Sequence, residues 1–150
     1  MRAPFQVLVF PFRKALRGIE YAAFHRADMP GIWQGIAGGG ESGESPLEAA
    51  AREANEEAGI PAHLEFVRLD SCSTVPVEWT AGFLWGPGTL VIPEHAFGVD
   101  VTGLAIEIGS EHVDYRWGEY TAIADLLKWD SNRSALWELN WRLTHPSPEN

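Results

Sequence analysis

Hydrophobic positions alternate or cluster in short runs through the first part of the chain, and the spacing becomes helical after residue 45. Phe5-Gln6-Val7-Leu8-Val9-Phe10 and Tyr21-Ala22-Ala23-Phe24-His25-Arg26 read as β-strands. Gly18 suits the turn between them, and Asp28-Met29-Pro30-Gly31 breaks the second. Ile32 to Ala37 then leads into Gly38-Gly39-Gly40-Glu41-Ser42-Gly43, which reads as a loop. Ser45 is a good helix N-cap, Pro46 suits the first helical position, and Glu48 completes a capping box with Ser45. In the helix that follows, Leu47, Ala50, Ala51, Ala54 and Ala58 form one stripe, with Glu53, Glu56 and Glu57 on a separate arc. Gly59 supplies the stop and Pro61 prevents continuation.

Further along, Leu64 to Cys72, Trp79 to Trp85 and Val99 to Ile108 look extended, punctuated by Pro76, Pro87, Pro93, Gly86 and Gly88. Tyr115-Arg116-Trp117 suits a short strand after the acidic turn Glu111 to Asp114, and Thr121 to Leu127 a short helix. Ser131 or Ser134 is placed to cap a last helix in which Trp137 and Trp141, four apart, are expected to pack as core with Leu136 or Tyr120. The tail from His145 to Asn150 is expected to fray. The alternation of strands and helices defines an α/β chain.

A chain of 150 residues fits one domain, with a core over about residues 4–144, and buries about 70% of its unfolded surface. Its apolar share of 45% suits a soluble globular protein, and no apolar run approaches the ~20 residues of a membrane span. The opening residues move into a strand rather than a signal-peptide core. Cys72 is the only cysteine, so no internal disulfide or cysteine-based zinc site can form, and a cytoplasmic location follows as the default. A formal net charge of −10 disfavours duplex nucleic acid and anionic lipid as partners. It leaves a small anionic substrate open, because screening over about 8 Å makes the charges around a pocket decisive.

The candidate chemistry lies in Glu53, Glu56 and Glu57, which a helix gathers at i, i+3 and i+4. An acidic solvated face is the ordinary reading of such a group. Three like charges beside a glycine-rich segment and a strong cap also suit a hard divalent cation, for which carboxylates, carbonyls and water favour Mg²⁺ or Mn²⁺. A phosphate loop is excluded, because Glu44 stands where that motif needs lysine.

Gly38 to Ile60 resembles a complete Nudix box: Gly38, five residues, Glu44, seven residues, then Arg52-Glu53-Ala54-Asn55-Glu56-Glu57-Ala58-Gly59-Ile60. Ala54 is a small choice at an aliphatic position. The resemblance implies an α/β/α sandwich with a mixed β-sheet and hydrolysis of a diphosphate-linked small molecule with Mg²⁺, or Mn²⁺, as cofactor. It also implies that Glu56 and Glu57 bind metal and that Glu53 is a ligand or the base. The Ala37 carbonyl becomes a backbone ligand, and Glu111 either an additional ligand or an ordinary surface carboxylate. Arg52 would orient Glu44 or one of the cluster, with Gly38 and Gly59 as structural support. Arg26, Trp33, Gln34, Gly39 and Arg116 are candidate substrate contacts; Trp33-Gln34 would either hold a planar ring or simply pack. His112 reads as structural.

Outside the box, Trp33-Gln34, Glu111-His112 with Tyr115-Arg116-Trp117, and Ser131-Asn132-Arg133 are similar to bacterial dihydroneopterin triphosphate pyrophosphatases, which also hydrolyse dATP. That implies release of pyrophosphate from a nucleoside-triphosphate-like substrate. ADP-ribose or dinucleoside polyphosphate hydrolysis is the alternative, with Pro76 as its only support, and a non-catalytic nucleotide sensor is a third reading. Homodimers are common in the family, but no seam in the sequence decides the matter.

Overall fold

The computed structural model describes residues 1–147. In chain order its elements are β1 (Arg2–Ala15), β2 (Gly18–Arg26), β3 (Trp33–Gln34), β4 (Ile36–Glu41), α1 (Pro46–Ala58), β5 (Phe66–Pro76), β6 (Val91–Asp100), β7 (His112–Gly118), α2 (Tyr120–Leu126) and α3 (Asp130–Thr144). The strands form one mixed sheet in the order β3-β2-β1-β6-β5, with β4 also on β1 and β7 on β2. The β1–β6 pairing is parallel; the others are antiparallel.

The sheet is buried on both faces, so its strands are apolar at successive positions rather than alternating with polar ones. Val7, Val9, Phe24, Phe97 and Val99 pack towards the alanines of α1. Leu8, Phe10, Phe12, Tyr21 and Ala96 pack on the other side towards Ile123 of α2 and Leu136 and Leu139 of α3. This is the α/β/α sandwich with a mixed sheet. Gly98 lets α3 approach β6, since a Cβ there would lie 2.5 Å from Leu139 Cδ1. No helix among the described residues is long and apolar enough to cross a membrane.

Helix α1 carries every predicted punctuation mark: the Ser45–Glu48 capping box, Pro46 in the first turn, and Gly59 at φ 67° as left-handed stop. Its faces differ from expectation. Ala49, Ala50, Ala54, Ala58 and Glu57 are the buried residues, and Leu47 is exposed. Glu53 and Glu57 neighbour those alanines at three- and four-residue spacing and so face the sheet instead of forming an arc apart from it.

Three other expectations are corrected. Gly38-Gly39-Gly40 belong to β4 rather than to a loop, and none of them needs a positive φ. Trp79 to Trp85 is not extended: Val77–Trp79 is a 3-10 turn, and the chain winds on through Gly82 and Gly86, both at positive φ. The strand near Val99 is β6, which ends at Asp100; the backbone of Glu107 and Gly109 bonds instead to Ala58 and Glu57 at the end of α1. Pro93 fits within β6 because it precedes Glu94, where pairing with β1 begins.

Helix α3 starts after Trp129 without a side-chain cap, so Ser131 and Ser134 fall inside it. Trp137 and Trp141 are not core. They stand 54% and 50% exposed, stacked at 5.7 Å, because Leu136 and Leu139 take the buried side of the helix. His145, at the head of the tail expected to fray, stacks on Trp141, and residues 148–150 lie outside the described residues.

The register of β5 shifts between Arg68 and Cys72. The Asp70 and Ser71 amides both donate to Glu138 of α3, at 2.7 Å each, and the Ser71 hydroxyl donates at 2.6 Å. Glu138→Ala therefore leaves strand amides without an acceptor, and a loss of about 1–3 kcal/mol in urea unfolding is expected.

Candidate active site

The glycines of β4 supply space. A Cβ on Gly38 would lie 2.2 Å from Glu53 Cδ, and one on Gly39 2.2 Å from Arg2 Nε. Two long charged side chains thus lie against the strand from opposite faces. This is the reason for glycine here, in place of turn-making.

Arg52 ties this strand to the helix and the intervening loop. Its Nε and Nη2 donate to Glu44 at 2.7 and 3.0 Å, and Nη2 also reaches the Gly39 carbonyl at 2.9 Å. Nη1 donates to Glu53 at 2.9 Å and Glu56 at 3.4 Å. The Arg52 hydrogen bond holds Glu44 below the ordinary carboxylate range. Glu44 in turn accepts from the Glu41 amide at 2.9 Å. The expected partnership of Arg52 with Glu44 is therefore direct, and it extends to two cluster carboxylates.

The three carboxylates differ in surroundings. Glu56 faces solvent, Glu53 is largely enclosed, and Glu57 is buried. Burial raises Glu53, and Arg52 opposes that effect. Burial pushes Glu57 up to about 10, with Glu111 and the charges of Glu53 and Glu56 adding to it. The Glu57 Oε2 atom is enclosed without a hydrogen-bond partner. Gly109 N donates to Glu57 O, and Ala27 N to Glu111 O, so the 109–111 loop is fixed at backbone level against both α1 and the end of β2. His112, buried, packs on Phe24. Burial lowers its pKa, and it lines the cleft with Nδ1 enclosed and without a hydrogen-bond partner among the described residues.

A cleft of about 640 Å³ opens at this end of the sheet. Ala37, Gly38, Gly39, Glu57 and Glu111 line it, together with Arg26 and Gln34. Arg26 is paired with Asp28 at 2.8 and 2.6 Å. Gln34 accepts from Trp129 Nε1 at 3.2 Å. Trp33 and Arg116 are not part of the lining: the Trp33 ring lies between His25 and the Arg116 guanidinium, each at 5.0 Å.

The cleft also contains residues not among the candidate site residues from the sequence, although Asn132 belongs to the Ser131-Asn132-Arg133 resemblance. Arg2 is one such residue, with Nε and Nη2 enclosed and unpartnered. Gln6, Ser73 and Glu94 lie on the floor, Trp79 at the rim, and Trp129 and Asn132 on the α3 side. Asn132 Oδ1 accepts from the Gly35 amide at 2.9 Å. Gln6 carried a usable signal, being a polar position in the otherwise apolar run from Ala3 to Phe12.

The donor set fits a hard divalent cation: carboxylate oxygens, a buried one without a partner, and a neighbouring strand carbonyl. Among the described residues no three such side chains already enclose a common point, since Glu53 is drawn to Arg52 and Glu56 faces outwards. A cation would compete with Arg52 for these oxygens.

The model of the NUDIX domain matches residues 6–137. The dihydroneopterin triphosphate diphosphatase of Escherichia coli (strain K12) is 30% identical over 138 residues, covering 90% of this chain and 91% of that one. A crystal structure from Listeria monocytogenes assigned to the Nudix hydrolases superposes with a TM-score of 0.86 at 38% identity, covering 95% of each chain. The E. coli dihydroneopterin triphosphate pyrophosphohydrolase structure gives 0.76 at 26% identity, over 93% of this chain and 97% of its own. The chain belongs to the Nudix family. It is an enzyme of that family, a pyrophosphohydrolase.

In chelator, the folded state holds a Glu57 proton that the unfolded chain releases above about pH 4.5. Stability is thus expected to fall as pH rises from about 4.5 towards 10. Thermal melts check this: Glu57→Gln should flatten the decline, and Mg²⁺ should raise the wild-type melting temperature more at about pH 8.5 than at about pH 5.5.

Proposed function

We propose that the chain is a Mg²⁺-dependent pyrophosphohydrolase that converts a (deoxy)nucleoside triphosphate or dihydroneopterin triphosphate to the monophosphate and pyrophosphate. The observation that carries this reading is the meeting, in one cleft, of Glu57 with its unpartnered oxygen, Glu111, the Gly38–Gly39 strand and the unpaired Arg2 guanidinium. The acidic side suits cations, and Arg2 gives the cleft a cationic group for the polyphosphate they accompany. The relatives that act on dihydroneopterin triphosphate support the substrate class.

Glu53, Glu56, Glu57, Glu111 and the Ala37 carbonyl are the groups that would hold Mg²⁺, with Mn²⁺ as a substitute. Bound there, the metal neutralises phosphate charge and acidifies water. Arg52 and Glu44 set the direction of Glu53, whose Oε1 is engaged by Arg52. Its Oε2 is left to take the proton of an attacking water. Arg2 lines the cleft with Nε and Nη2 enclosed and lacking acceptors, so a small turn of its guanidinium towards phosphate oxygens would satisfy donors that are otherwise unmet.

Hydrolysis of dihydroneopterin triphosphate, dNTPs, ADP-ribose and diadenosine polyphosphates, compared with Mg²⁺ present, tests the reading. Pyrophosphate release from the triphosphates is expected to dominate; faster cleavage of the dinucleotides would sink it. Glu57→Gln is expected to lower kcat/KM by at least ~100-fold with the fold retained. Arg2→Ala is expected to raise KM for triphosphates by about tenfold, with a smaller change in kcat.

A further inference from the structure

Glu94 is buried in the sheet, 8% exposed, yet lines the cleft. A buried carboxylate is ordinarily matched by a cation or by several N–H donors. Glu94 has no ion pair among the described residues, and the interaction that opposes its burial is the Ser73 hydroxyl. Burial pushes its carboxyl up to about 7. No part of the proposed phosphate chemistry uses it.

Its position in the sheet gives it a direction. Gly39 pairs with Gln6, Gln6 with Glu94, and Glu94 with Ser73, across β4, β1, β6 and β5. All four line the cleft as one row along its floor. Arg2 packs against Gly39 at one end of the row, and Glu57 and Glu111 line the same cleft. Glu94 is two strand spacings away, about 10 Å. That separation is comparable to the reach of a nucleotide from its inner phosphate to the far edge of its base.

We propose that Glu94 reads the base end of the substrate, accepting the ring N–H and adjacent exocyclic amine of a 2-amino-4-oxo pyrimidine edge, which guanine and pterins share. This rests on the reading that the cleft takes a triphosphate. Two parallel N–H donors match the two oxygens of a carboxylate. Adenine offers one amine beside a ring acceptor, which repels the ionised group. Gln6 and Ser73 flank the carboxylate. Above about pH 7, where Glu94 is ionised, a ligand lacking the two donors leaves a buried charge unpaired, and that is where discrimination arises, so binding is compared there.

Equilibrium binding to the whole protein tests the assignment without any chemical step. The probes are dGMP, dAMP, dIMP and neopterin, with dIMP keeping the ring N–H and lacking the amine. The wild type is expected to bind dGMP or neopterin at least ~10-fold more tightly than dAMP, with dIMP between. Glu94→Gln, which replaces one acceptor by a donor, is expected to abolish that preference. Neopterin favoured over dGMP would assign the pterin, and the reverse would assign guanine. Equal binding of dGMP, dIMP and dAMP by the wild type overturns the proposal, even where Glu94→Gln fails to fold. So does a folded Glu94→Gln protein that keeps the preference. Triphosphate hydrolysis is read separately: its absence with the dGMP or neopterin preference intact overturns the hydrolytic reading and leaves Glu94 as the base contact.

Discussion

The Arg52 guanidinium distributes its donors over Gly39 of β4, Glu44 of the connecting loop, and Glu53 and Glu56 of α1. Three consecutive segments are thereby held at one point by a planar, permanently charged fork. That fork can sit there because Gly38 has no side chain to exclude Glu53. It leaves Glu57 as the one member of the acidic cluster that is buried and not bonded to Arg52, with an oxygen facing no donor. The polarity of the cleft follows from this division: Glu44, Glu53 and Glu56 share the Arg52 charge, and Glu57 does not.

A chain with a formal charge of −10 would repel a polyphosphate if its acidic groups were spread evenly around the cleft. The fold places these charges unequally. Arg52 lies behind Glu53, and Arg2 lies on the opposite face of β4, kept there by the open space at Gly39. The Arg2 carbonyl is fixed by Trp85 Nε1 at 3.0 Å, so the loop between β5 and β6 steadies the first residues of β1. A long-range contact of this kind, between positions 2 and 85, has no local pattern behind it.

Most of the structure of α1 was legible in advance. Capping, proline placement and a left-handed glycine act within a few residues, so the sequence shows them directly. The Arg52–Glu44 pairing was legible too, through the spacing of the motif. Three features were not. The triple glycine looked like a loop because its use as a gap for Glu53 and Arg2 depends on groups from α1 and β1. Trp33 and Arg116 looked like substrate contacts, but their mutual stacking is set by the β2–β3 and β2–β7 pairings. Trp137 and Trp141 looked like core because hydrophobic spacing does not say which side of a helix meets the sheet, and Leu136 and Leu139 meet it instead.

The sequence by itself determined the identity of the acidic helix, its ends and its family, because these rest on short-range geometry and a closely spaced motif. Tertiary structure alone decided which carboxylate is buried and which faces solvent. It alone set Arg2, Gln6, Ser73 and Glu94 around one cleft, from strands lying far apart in the chain. Burial and strand register are properties of the assembled sheet, and they fix both the electrostatic asymmetry of the cleft and the row along its floor.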